Sequence, residues 1–170
     1  KVKAAIKDIV SALDAAGARP AAAVLRGKAR KMVDEKEAAV KEFTAALDLA
    51  AKAPPAEAQA IASRVCAELD GMGEDALLEK SCRLFLDTIR KNGLGFEDMA
   101  MFGMGRGKNP MAIYGRLMIG AKRHVELYHA IKCVDLGFME LPIFFMMELQ
   151  GEGLKEFLAA AKEEAFKDAK

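Results

Sequence analysis

Apolar residues recur along this chain every three or four positions, which is the spacing of one face of an α-helix. No segment alternates apolar and polar residues between turns, so no strand is predicted. The expected fold is therefore all-α: an irregular multi-helix bundle of about six to seven helices with no sheet. The predicted helices span residues 1–16, 20–52, 55–71, 74–91, 110–135, 139–149 and 154–168.

The longest predicted helix, 20–52, is based on a seven-residue repeat. Pro20 suits the first turn of a helix, and Val33, Val40 and Leu47 follow at equal intervals. The repeat predicts one continuous helix with a packing seam for a neighbouring helix.

The length of the chain predicts a single all-α domain over 1–170. Residues 1–53 are rich in Ala and charge and hold few large apolar side chains, which predicts a helical arm that contacts a partner. Residues 57–168 hold most of the Met and Phe and predict the compact core. A long loop rich in Gly and Met is predicted between the helices at 74–91 and 110–135.

The balance of basic and acidic residues argues against two classes of partner. The chain has 26 basic and 25 acidic residues and a net charge of +1. No net field would attract nucleic acid or an anionic membrane, so neither is expected as a partner. The apolar stretch "LPIFFMMELQ" (141–150) overlaps the segment 133–149, which Glu140 and Pro142 interrupt. No transmembrane helix is predicted, and membrane association is expected only through partner proteins.

The cysteines indicate a compartment. The chain has an odd number of cysteines at wide spacing: Cys66, Cys82 and Cys133. This argues against a disulfide framework and favours a reducing compartment. Each is expected to be a small buried residue. Because the chain starts at Lys1, as if a targeting segment had been removed, the chloroplast stroma or thylakoid surface or the mitochondrial matrix is favoured over the cytosol.

The segment "GMGRGKN" at 103–109 invites a nucleotide-binding interpretation, but it lacks the required pattern. A Walker loop needs Ser or Thr where Asn109 stands and Gly where Phe102 stands. Arg106 and Lys108 beside exposed backbone amides still form a candidate anion-binding site. The favoured interpretation is a loop that wraps over a neighbouring protein.

The only two histidines are His124 and His129. Glu126 and His129 have the spacing of a di-iron carboxylate pair, but a second such pair is impossible with two histidines. On one helix the two imidazoles would point about 140° apart and cannot share a metal ion. No metal site is predicted.

Both histidines are candidate cofactor-binding residues. His124 falls on an apolar stripe, where the favoured interpretation is a core histidine hydrogen-bonded to a neighbour. Alternatively, its ring leans over Gly120, one turn earlier, and leaves room for a flat ligand with the imidazole as axial ligand. Chlorophyll or haem would be that cofactor.

The sequence favours a non-catalytic helical accessory or linker subunit that docks on and stabilises a larger organellar assembly, such as a photosynthetic or respiratory membrane complex, with a His-ligated chlorophyll as one variant. No catalytic constellation is identified, so an enzyme is not expected. One alternative is a small helical carrier of a pigment, haem or lipid; another is an enzyme or binder for an anionic substrate at residues 103–110. Apolar side chains that adapt to a contact surface are expected to face the partner: Met101, Phe102, Met104, Phe144, Phe145, Met146 and Met147.

Overall fold

The computed structural model describes residues 2–15, 17–92, 110–131 and 152–167, and every regular element in these ranges is an α-helix. The all-α prediction is confirmed. The predicted helix 139–149 and the loop rich in Gly and Met lie outside the described residues. The helices are α1 (Val2–Ala15), α2 (Pro20–Lys31), α3 (Lys36–Ala50), α4 (Pro55–Leu69), α5 (Asp75–Asn92), α6 (Pro110–Gly120), α7 (His124–Ile131) and α8 (Glu152–Lys167).

The chain divides into two compact units, Lys1–Thr88 and Ile89–Lys170. The sequence predicts a single domain with an arm at 1–53 and a core at 57–168, and that organisation stays a prediction. Among the described residues, no helix is long and apolar enough to cross a membrane.

The segment 20–52 forms two helices, so the prediction of one continuous helix is wrong. The chain leaves α2 in a turn in which the carbonyl of Arg30 accepts the N–H groups of both Val33 and Glu35. Asp34 has a φ of 63°, in the left-handed region, and cannot continue a right-handed helix. Val33 therefore lies in the connection, while Leu47 on α3 is fully buried.

A close approach of α2 and α3 follows from glycine at position 27. A Cβ at Gly27 would lie 2.5 Å from Cε1 of Phe43, whose ring is fully buried. Around this contact the two helices bury mostly small apolar residues, which let their backbones come close. These residues are Ala22, Ala23, Val24, Ala29, Ala39, Ala46 and Ala50.

One partly buried guanidinium joins the first three helices. Arg26 on α2 donates from Nε to Glu42 on α3 at 2.8 Å and from Nη1 to the carbonyl of Leu13 on α1 at 3.2 Å. Leu13 lies in the last turn of α1, where carbonyl oxygens have no intrahelical donor. Arg26 thus satisfies a helix end and a carboxylate together.

The contact between α4 and α5 is built from small buried side chains. Ser81 donates a hydrogen bond of 2.8 Å to the carbonyl of Ala62. Next to it, the Sγ atoms of Cys66 and Cys82 lie 3.2 Å apart. Both cysteines are fully buried, which confirms the prediction for these two residues; Cys133 lies outside the described residues.

A second predicted helix, in the second unit, is also divided in the structure. The predicted helix 110–135 is interrupted at residues 121–123, where Lys122 has a φ of 56°. It therefore forms two helices, α6 and α7. Tyr114 and Met118 on α6 and Leu127 on α7 are fully buried.

Candidate functional site

His124 is the first residue of α7 and is only 6% exposed. Its Nδ1 lies 2.5 Å from Oε2 of Glu156 on α8, a carboxylate that is itself largely exposed. The distance is that of an ion pair when the imidazole is protonated, but Nδ1 makes no hydrogen bond of regular geometry. His124 thus has a charged neighbour on another helix.

A groove of about 670 Å³ opens beside this pair, and we call it the His124 groove. Its lining combines basic and acidic side chains with two small apolar ones. The lining residues are Lys122, Arg123, His124, Val125, Glu126, His129, Glu156, Ala159 and Glu163. Because both charge signs are present, the groove has no strong preference for an anion or a cation as a whole.

Much of the charge at one end of the groove is already paired. Arg123 donates from Nε to Oε2 of Glu126 at 2.7 Å, and its Nη2 lies 2.7 Å from the same oxygen. Glu126 is the carboxylate that forms the predicted di-iron spacing with His129. The carboxylate is thus held by a guanidinium on the preceding turn.

His129 lines the same groove and is exposed. The ring of Tyr128 meets the ring of His129 edge-on at 5.6 Å and the ring of Phe157 at 5.4 Å. The structure thus brings both predicted histidines to one groove. Among the described residues, no three His, Cys, Asp or Glu side chains are grouped to hold a metal ion.

The predicted relation between His124 and Gly120 is wrong. Gly120 ends α6 and His124 begins α7, so the ring does not lean over Gly120 along a single helix. The cause is the turn at Lys122, whose left-handed backbone redirects the chain. Among the described residues, however, no atom outside the helix and its chain neighbours lies within 4 Å of the place where a Cβ of residue 120 would stand.

Glu156, the neighbour of His124 in the candidate site, could not be identified from the sequence. It lies on the charged face of the predicted last helix, and nothing in its local pattern marks it. The pairing with His124 joins residues on two helices, so only the tertiary structure reveals it.

The other predicted site residues lie outside the described residues and stay predictions. The candidate anion-binding residues are Arg106 and Lys108. The candidate partner contacts are Met101, Phe102, Met104, Phe144, Phe145, Met146 and Met147.

A second surface lies on the outer side of α2. Leu25 is 51% exposed and Met32, in helical conformation directly after α2, is 67% exposed. Residues seven positions apart lie on the same face of a helix. Lys28, between them, and Ala21, one turn before Leu25, share that face and are exposed as well. We call these four residues the α2 stripe. Ala23 and Gly27, on the other side of the helix, are buried.

No known protein family, curated protein or solved structure matches the chain. The His124 groove and the α2 stripe are therefore the features from which function is inferred.

Proposed function

We propose that this chain is a non-catalytic helical subunit that docks on and stabilises a larger protein assembly. The observation that carries the proposal is the α2 stripe. Its two large apolar side chains, Leu25 and Met32, stand out from a helix whose opposite face is already buried. Burying them against a partner would be favourable at about 25 cal/mol per Å² of apolar surface.

The charge on the α2 stripe suits an interface. Lys28, between the two apolar side chains, has its Nζ 3.2 Å from Oε1 of Glu68 on α4. Its charge is therefore partnered within the chain, and a docking protein would not have to neutralise it. Methionine at position 32 adds an unbranched side chain that adapts to an irregular partner surface.

The test is the size at which the full chain migrates in a native extract. The unaltered chain is expected to migrate in a complex much larger than itself, and Leu25→Ser with Met32→Ser is expected to shift it to the size of the free chain. Leu158→Ser is the matched control, because Leu158 is 55% exposed but lies on α8 in the second unit. A free chain in the extract, or a double variant that stays in the complex, would contradict the proposal.

The proposed setting is an organelle with a reducing interior, where the partner would be a photosynthetic or respiratory membrane complex. The odd number and wide spacing of the three cysteines support a reducing environment. Fractionation of the source cells, with an antibody against the chain, tests the setting. Recovery of the chain in the cytosolic fraction would contradict it.

A second candidate function is a carrier of chlorophyll or haem. The contact between His124 and Glu156 favours it. A histidine that ligates a metal usually places its other ring nitrogen against a carboxylate or carbonyl. With Nδ1 facing Glu156, Nε2 would be the atom available to the central metal of a porphyrin-type ligand. The groove volume of about 670 Å³ lies within the range of small-molecule sites.

An absorbance spectrum decides this second candidate. The chain purified from its native source is expected to carry a visible absorption band that His124→Ala abolishes. His129→Ala, which alters an exposed histidine of the same groove, is expected to retain the band. A colourless chain, or a band that persists in His124→Ala, would contradict the carrier function without affecting the docking proposal.

A further inference from the structure

The thiol groups of Cys66 on α4 and Cys82 on α5 lie next to each other, away from solvent. Their Sγ atoms are 3.2 Å apart, and both side chains are fully buried. A disulfide has a sulfur–sulfur bond of about 2.05 Å, so the two sulfurs would need to approach by only about 1.2 Å. We propose that Cys66 and Cys82 are a modification site, at which a small-molecule disulfide oxidises the pair to a reversible internal disulfide.

A second contact between the same helices supports the fit. Ser81 precedes Cys82, and Ala62 lies one turn before Cys66; the hydroxyl of Ser81 reaches the carbonyl of Ala62 at 2.8 Å. A side chain as short as serine makes this bond only if the two backbones are close. The helices are therefore held near each other beside the sulfur atoms, as a short disulfide linkage requires.

The chemistry balances with one equivalent of the oxidant. One protein thiol loses its proton and attacks a sulfur of the small disulfide, which forms a mixed disulfide and releases one small thiol. The second protein thiol then attacks the protein sulfur of the mixed disulfide. The Cys66–Cys82 bond forms and a second small thiol leaves. The protein loses two hydrogens, and the small disulfide is reduced to two thiols.

Burial of the two thiols slows their oxidation in the native chain. The hydrogen bond with Cys66, together with burial and the nearby carboxylates of Glu79 and Asp70, raises the pKa of the Cys82 thiol well above its ordinary value. The thiolate is the attacking species, so it forms in quantity only when α4 and α5 separate locally. We expect the pair to react slowly in the native chain and rapidly during refolding.

The site stands apart from the proposed docking function. It uses neither the α2 stripe nor the His124 groove, so either proposal can fail alone.

The experiment uses the full chain with Cys133→Ser, which leaves only the pair. The chain is refolded with oxidised glutathione and, separately, incubated with it in the native state. Intact mass and unreduced peptides are then analysed. The expected product is lighter by two hydrogens, links the peptides that contain Cys66 and Cys82, and melts several degrees higher because the denatured chain is constrained. Dithiothreitol should restore the original mass and melting temperature.

Matched variants and the unaltered chain complete the test. Cys66→Ser and Cys82→Ser, each in the same background, are expected to form no internal bond. Peptide mapping of the unaltered chain, with all three cysteines, is expected to give the same linkage. This measurement keeps the test valid if Cys133→Ser impairs folding. Two free thiols after oxidative refolding, one glutathione on each cysteine, or an internal disulfide that lowers the melting temperature would each overturn the proposal.

Discussion

The contact between Gly27 and the Phe43 ring makes a sharp prediction at the scale of single residues. In Gly27→Ala the added methyl group would come 2.5 Å from a ring that is fully buried and cannot move into solvent. Overpacking of this kind costs about 1–3 kcal/mol, which outweighs the gain in helix propensity of at most about 1 kcal/mol. We expect the free energy of unfolding to fall by about 1–2 kcal/mol, measured by denaturant titration.

Gly120→Ala is the control for that substitution. Gly120 also lies in a helix, but in the part of the chain that the structure describes a Cβ there would meet no atom of another element within 4 Å. Its unfolding free energy should change by no more than about 0.5 kcal/mol. If both variants were equally stable, the close approach of α2 and α3 would be wrong.

Glu68 gives a pH-dependent prediction at the same scale. Burial alone would raise the pKa of its carboxyl group, but hydrogen bonds and charges from Lys28 and Lys31 outweigh burial and lower the pKa below its ordinary 4.5. A carboxyl group with a lowered pKa in the folded state stabilises the fold above about 4.5, and this contribution is lost as the pH falls through the lowered pKa. Glu68→Gln should therefore reduce stability at neutral pH and not in acid.

The size of that effect is small, because the three side chains are partly exposed to solvent and salt. We expect a loss of less than about 1 kcal/mol at pH 7. Urea titrations of the parent and of Glu68→Gln at neutral pH and near pH 3 measure it. A difference between parent and variant that was equally large near pH 3 would show that Glu68 acts through packing instead of charge.

Arg26 acts at the scale of helices, since it joins α1, α2 and α3. Arg26→Met keeps an apolar stem but leaves Glu42 and the carbonyl of Leu13 without this donor. Leaving such partly buried groups unsatisfied costs about 1–3 kcal/mol, and we expect a loss of that size in the unfolding free energy.

Arg30→Met is the matched control on the same helix. The side chain of Arg30 is 30% exposed, against 11% for Arg26. It pairs with Glu35 at 3.0 Å and lies farther, at 3.7 Å, from Glu42, which Arg26 contacts at 2.8 Å. Its loss should cost less than about 1 kcal/mol. Equal losses for both variants would mean that Arg26 does not join the three helices.

The existence of the helices could be predicted from the sequence, but two of their ends could not. Periodicity identifies helical segments because one face of each must be buried. The breaks after α2 and α6 depend on Asp34 and Lys122, which adopt left-handed backbones without the glycine that usually marks such a position. In the first case the seven-residue repeat continues through the break, so the pattern indicates one helix where two exist.

The same limit applies to the candidate sites. The sequence singles out His124 because histidine is rare in this chain, but its partner Glu156 is one of many acidic residues. Cys66 and Cys82 are separated by sixteen positions, and only the packing of α4 on α5 brings their sulfur atoms together. Chemistry that depends on two helices cannot be found from the local pattern of either one.

At the scale of the whole molecule, charge and exposed apolar surface act together on solubility. The net charge of +1 and the isoelectric point near 7.9 leave little electrostatic repulsion between copies at neutral pH. Because self-association is favoured when net charge is near zero, the isolated chain should be least soluble close to pH 7.9 and more soluble on either side. Light scattering across a pH series measures this.

The α2 stripe determines how deep that solubility minimum is. If Leu25 and Met32 form a docking surface, they remain uncovered in the isolated chain and favour contacts between copies. Leu25→Ser with Met32→Ser should then raise the solubility at the minimum without moving its pH, since neither change alters the charge. Leu158→Ser, an equally exposed position, should raise it less. An equal increase for both would indicate general surface hydrophobicity and would count against the α2 stripe as a specific interface.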